Sequence, residues 1–176
     1  MAVLFDASVL ILLLQPNAGI PQDPETKKPV EYAKQRLDYL INQLNKGRTK
    51  IIVPTPALSE LLIHAGSPSV SNSYIQSLQR PPFKIVSFDM RAAIECAEAF
   101  RQYGKKDKTS THAKLKYDRQ IVSIGIVEQV EAIYSDDSDI VKYGKQANLN
   151  VIRTHQLDID PNDRQGSLLS EQSPEI

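Results

Sequence analysis

The sequence predicts an α/β domain of three layers, α/β/α, built around a five-stranded parallel sheet. Two observations carry this prediction. Short apolar segments of three to five residues recur along the chain, and segments with helical spacing separate them. The apolar segments do not alternate with polar residues. They therefore read as strands buried on both faces, which parallel strands between helix layers require.

The first strand is 2–5, and a helix over 7–14 begins just past Asp6. Residues 15–29 carry prolines and Gly19, and form a loop. A helix over 30–44 sets Ala33, Leu37, Leu40, Ile41 and Leu44 on one face, and Asn45, Lys46 and Gly47 end it. Ile51, Ile52 and Val53 form the second strand. Thr55 and Pro56 start the next helix, the threonine as cap and the proline in the first turn. It reaches about Gly66. A helix over 69–78, a strand over 84–88 and a helix over 90–103 capped by Asp89 follow. Residues 104–111 form a polar, basic loop, and 113–130 a long helix. A strand over 132–135, a helix over 139–147 and a last strand over 150–152 complete the pattern. From 158 the chain is polar and patternless. One domain over 1–157 with a flexible tail over 158–176 is expected.

Composition narrows the class. With 176 residues, 41% apolar and 24% charged, the chain reads as one soluble globular domain. Basic and acidic residues balance at 21 each, which excludes a global field for nucleic acid but not a local patch. Cys96 is the only cysteine. That excludes an internal disulfide and a cysteine zinc site, and a cytoplasmic location is expected. Cys96 lies among Ala92, Ala93 and Phe100 and reads as a packed small hydrophobe. The apolar run 9–14 is far shorter than the ~20 residues of a membrane span. Asp6 interrupts it and no basic segment precedes it, so neither a membrane nor a leader is expected.

The acids supply the functional signal. Asp6 ends the first strand, and Asp136, Asp137 and Asp139 follow the fourth. Open parallel sheets bind ligands beyond the carboxyl ends of their strands, where strand order reverses. If strands one and four are neighbours, these acids meet in one cleft. Asp118 shares a helix face with Leu115, Ile121, Val122 and Gly125, and so points inward. An inward acid needs a basic partner, hydrogen bonds or a metal. Glu60 points away from the Leu58, Leu61 and Ala65 stripe; only its place after strand two brings it to the same end of the sheet. Gathered carboxylates repel and hold protons unless a cation intervenes. Oxygen ligands suit Mg²⁺ or Mn²⁺, and two such ions about 4 Å apart cleave phosphodiesters in known chemistry.

A basic stretch leads into Asp118: Arg101, Lys105, Lys106, Lys108, His112, Lys114, Lys116 and Arg119. It would hold a phosphate backbone, or serve as a solvated face. His64, His112 and His155 have no ligand spacing; Tyr117 and Tyr134 suit packing better than base stacking.

VLFDASVL, PTPALSELL, KLKYDRQIV and IYSDDSDI followed by NVI together resemble the PIN-domain ribonucleases, and among them the VapC-type toxins of toxin–antitoxin pairs. The resemblance spans residues 2–152. It implies Asp6, Glu60, Asp118 and Asp137 as metal-binding, catalytic acids, Asp139 as an auxiliary ligand and Ser8 as the residue that orients Asp6. It further implies Mg²⁺- or Mn²⁺-dependent cleavage of single-stranded RNA, a homodimer, and an antitoxin partner that blocks the site. Lys105, Lys106, Lys108, Lys114, Lys116 and Arg119 would then bind the nucleic acid. The chain departs from the compact toxin pattern in its longer 15–29 loop and its polar tail.

Competing readings are fewer. An aspartyl phosphatase wants an acid two residues after the first, where Ser8 stands. A phospho-acceptor domain wants a lysine after the last strand, where Arg153 and Thr154 stand. A PIN-like binding module without catalysis and a nuclease acting on DNA are the remaining alternatives.

Overall fold

The computed structural model describes residues 1–103 and 112–161, with side chains from residue 117 onward in the second stretch. The strands are β1 (Ala2–Phe5), β2 (Lys50–Pro54), β3 (Phe83–Val86), β4 (Ala132–Tyr134) and β5 (Asn150–Ile152). The helices are α1 (Ala7–Leu14), α2 (Ala33–Lys46), α3 (Thr55–Ile63), α4 (Pro68–Leu78), α5 (Met90–Tyr103), α6 (His112–Val127) and α7 (Ser138–Gln146). A 3-10 turn, Thr154–Gln156, follows β5.

All neighbours in the sheet pair in parallel, in the order β3-β2-β1-β4-β5. Strand order reverses between β1 and β4, so the two strands whose carboxyl ends carry the acids are neighbours. Consecutive strand residues point to opposite faces. Val3, Leu4 and Phe5 are all buried, as are Ile51, Ile52 and Val53, so the sheet is covered on both sides. Helix contacts run from α2 through α1 and α3 to α6, with α5 and α7 both packed on α6.

Gly125 lets α6 approach the sheet. A Cβ there would lie 3.3 Å from Val130 Cγ2, 3.4 Å from Ile133 Cδ1 and 3.5 Å from Leu4 Cδ1. Gly125 lies two turns along the face that carries Asp118, so this approach sets that acid's height over β1 and β4. Cys96 is buried, as its apolar neighbours predict, and burial pushes its thiol pKa up. Tyr134 packs edge-on against Phe5, with ring centroids 5.4 Å apart.

Several boundaries differ from the sequence reading. α2 begins at Ala33 because Tyr32 holds a left-handed conformation, φ 55°, which interrupts the helix. Thr55 does not cap α3. Pro54 occupies that position, and Thr55 Oγ1 instead accepts from Phe88 N at 3.2 Å. β3 therefore ends at Val86, and the chain then turns toward α3. Asp89 does cap α5, accepting from Ala92 N at 2.9 Å. Ile159 is buried, so packing continues past the expected boundary at 157. The tail over 162–176 lies outside the described residues. No helix among the described residues is long and apolar enough to cross a membrane.

Candidate metal centre

Phe5 and Tyr134 are register partners at the ends of β1 and β4. The next residue on each strand, Asp6 and Ser135, therefore meets the other at the carboxyl ends of the two strands. Ser135 Oγ donates to Asp6 Oδ2 at 2.8 Å. Asp6 also caps α1, where Ser8 Oγ donates to the same oxygen at 3.1 Å. Each hydroxyl passes the connection on. Ser8 Oγ accepts from Asp136 N at 3.1 Å, and Ser135 Oγ accepts from Asp137 N at 3.0 Å. Two serines thus tie the Asp6 carboxylate to the loop that carries the second group of acids.

Asp6 is 4% exposed. Burial raises its pKa above the usual carboxylate value; bonds from Ser135, Ala7 N and Ser8 oppose the shift, and the charge of Asp137 adds to it. Ser135, bonded to both the Asp6 carboxylate and Asp137 N, holds the two acids in one neighbourhood.

Asp118 projects from α6, 8% exposed, on the inward face that periodicity indicated. Asp137 caps α7, accepting from Asp139 N at 2.7 Å, and Asp139 sits in the first turn. One carboxylate oxygen from each of Asp118, Asp137 and Asp139 lies within 4.8 Å of the others. An ion held at about 2.1 Å by two oxygens separates them by at most about 4.2 Å. These oxygens would have to draw somewhat closer to share a hard cation. The donor set is all oxygen, partly buried, and beside a fourth acid that burial disfavours as an anion. These residues fit Mg²⁺ or Mn²⁺.

The other residues named from sequence fall elsewhere. Asp136 turns away from the cluster: its Oδ1 accepts from Thr154 N at 3.0 Å and its Oδ2 from Thr154 Oγ1 at 2.5 Å. Arg153 Nη1 donates to the Asp136 carbonyl at 3.0 Å. The sequence offered no cue for this latch, because its partners lie 17 and 18 residues apart. Ser135 was also missed; it sits inside the acid-rich segment, and only strand register reveals its partner. Glu60 is exposed on α3 and is not among the three acids that approach within 4.8 Å.

Arg119 requires a correction. It is 3% exposed, and its guanidinium lies 4.5 Å from the Phe100 ring centroid and 4.6 Å from that of Tyr143. Its Nη1 donates to Ala99 O at 2.8 Å. A cation so enclosed is not a surface contact for a phosphate backbone. Helical geometry explains this: one residue past Asp118 rotates about 100° around α6, toward α5 and α7. Lys105, Lys106 and Lys108, and the side chains of Lys114 and Lys116, lie outside the described residues. Arg101 pairs with Glu98.

Residues 3–146 match the sequence profile of the PIN domain. The chain belongs to the PIN domain family. A comparison with curated protein sequences gave no match. Solved structures share the fold of this PIN domain. VapBC2 from Rickettsia felis, bound to a promoter DNA fragment, aligns with TM-score 0.61 at 13% identity, over 87% of this chain and 98% of that one. FitAcB from Neisseria gonorrhoeae aligns with TM-score 0.57 at 16% identity, over 88% and 99%. VapC20 of Mycobacterium tuberculosis, a toxin that cleaves the sarcin–ricin loop, aligns with TM-score 0.53 at 9% identity, over 81% and 95%. At these identities the likeness is one of fold.

Proposed function

We propose that this PIN domain is a divalent-metal-dependent endoribonuclease that hydrolyses phosphodiester bonds of single-stranded RNA, acting as the toxin of a toxin–antitoxin pair. The observation that carries the reading is the meeting of Asp118, Asp137 and Asp139 within 4.8 Å, beside the buried Asp6. Asp6, Asp118, Asp137 and Asp139 would hold Mg²⁺ or Mn²⁺. Such an ion, when bound, makes water a nucleophile at neutral pH and takes up charge on the leaving oxygen. Ser8 and Ser135 orient the Asp6 carboxylate through their hydroxyls. Glu60, exposed on α3 and outside the three-acid group, is a further proposed catalytic acid. Lys105, Lys106, Lys108, Lys114 and Lys116 would hold the RNA backbone.

The antitoxin partner rests on the fold shared with VapBC2 and FitAcB. A homodimer is proposed with it. The cytoplasm is the proposed location.

The test is cleavage of defined RNA and DNA oligonucleotides with Mg²⁺, Mn²⁺ or EDTA, beside Asp6→Asn, Asp118→Asn and Glu60→Gln. RNA cleavage that needs metal and fails in both Asn variants, with a milder loss in Glu60→Gln, is expected. Cleavage of DNA alone would favour the DNA-nuclease alternative. Absence of metal-dependent cleavage on either substrate would favour a binding module.

A further inference from the structure

Arg119 is a buried guanidinium that forms none of the ion pairs found among the described residues. Its Nε is buried with no hydrogen-bond partner there. Buried charged groups can often be replaced by apolar side chains of similar volume without loss, so burial of a cation is weak evidence for a role in stability alone. Its connections are specific. Phe100 on α5 covers one side at 4.5 Å, and Tyr143 on α7 lies at 4.6 Å. Ala99 O fixes the fork at 2.8 Å.

Both ends of this clamp lie one step from a carboxylate of the metal centre. Arg119 follows Asp118 directly on α6. Tyr143 lies one helical turn after Asp139, on the same face of α7. Asp118 comes from α6 while Asp137 and Asp139 come from the start of α7, so the site depends on how the two helices sit against each other as well as on how each seats on the sheet. A metal site tolerates errors of about 0.5 Å or less in its ligands. We propose that Arg119 is a positioning residue: held between Phe100 and Tyr143, it locks α6 onto α7 and so sets Asp118 against Asp139 for the divalent cation. This inference rests on the metal-centre reading above.

The test measures Mn²⁺ affinity of the purified full chain from the electron paramagnetic resonance signal of free Mn²⁺, well below every variant's unfolding midpoint. Arg119→Met and Tyr143→Leu should each weaken binding by about 10–100-fold, as loss of an outer support does at other metal sites. Tyr143→Phe, which keeps the ring, should bind within about twofold of wild type. A purely structural role would lower the midpoint and leave the affinity of the folded protein unchanged. Folded Arg119→Met with wild-type affinity overturns the proposal. If Arg119→Met does not fold, Tyr143→Leu decides by the same criterion. Asp118→Asn separates the two readings. If it binds Mn²⁺ like wild type, the metal centre itself is refuted and this inference falls with it. If it loses Mn²⁺ while Arg119→Met and Tyr143→Leu retain it, only the clamp is refuted.

Discussion

Asp6 meets two opposing demands. Its position at the β1 end makes it the cap of α1 and the acceptor for Ser8 and Ser135, yet burial beside Asp137 disfavours its charge. Its native pKa lies above the ordinary 3.8, so between those two values the metal-free folded chain holds a proton that the unfolded chain releases. The resulting stabilisation is full below 3.8 and is lost as pH rises through the native pKa. Above the native pKa, in EDTA, the ionised carboxylate thus opposes folding. Asp6→Asn should raise the metal-free midpoint there. Calorimetry in EDTA checks it, and an unchanged or lower midpoint would contradict the strain assigned to this carboxylate. Asp118 was legible in the sequence because an acid inside an apolar stripe violates the helix period. The choice between Asp136 and Asp137 was not, since it depends on Thr154, which is 1% exposed and bonded to Asp136 through both N and Oγ1. Thr154→Val should cost about 1.5 kcal/mol or more through the lost bond to a charged acceptor. Urea unfolding at neutral pH reads that loss directly.

Helices deliver the acids, and their seating on the sheet sets where the acids stand. Gly144 of α7 has no room for a side chain: a Cβ there would overlap Val151 Cγ2 on β5. Val151 is β-branched and cannot swing aside as a longer chain would. Gly144→Ala should therefore lift α7 from β5 and destabilise by about 1–3 kcal/mol. Adding Val151→Ala makes room for the new methyl, so the double variant should be more stable than the sum of the single changes predicts. Additivity of the two would show that the contact at Gly144 is not the cause. The element pattern itself was legible, because buried parallel strands and amphipathic helices leave unlike periods. Local chemistry also placed the Asp89 cap of α5. Thr55 looked equally good as a cap, but its hydroxyl is taken by Phe88 N, a partner 33 residues away. A hydroxyl at a helix start has local and distant acceptance open to it, and sequence shows only the local one. Arg119 failed for a related reason: a basic run reads as one surface, while the helix turns each member of it toward a different neighbour.

At the scale of the molecule, the sheet brings the ends of β1 and β4 together, and with them Asp6 and the loop that carries Asp137 and Asp139. Sequence put acids at the carboxyl ends of strands one and four, and reversal of strand order between β1 and β4 makes those ends neighbours. That adjacency is a tertiary fact, set by how long crossovers wrap the sheet. It has a thermodynamic consequence. Unfolding separates α6 from α7 and destroys the group formed by Asp118, Asp137 and Asp139. A cation bound there stabilises only the folded chain, by about 2.7 kcal/mol at a free concentration 100 times its dissociation constant. For a chain of this size that equals a rise of roughly 5–10 °C in the midpoint. Wild type titrated with Mn²⁺ should show this rise, growing with the logarithm of concentration once the site is filled. Asp118→Asn should show little of it, although both proteins carry the same exposed acids. Equal rises in the two would mean that Mn²⁺ acts through surface carboxylates, and that the convergence of these acids does not create a metal centre.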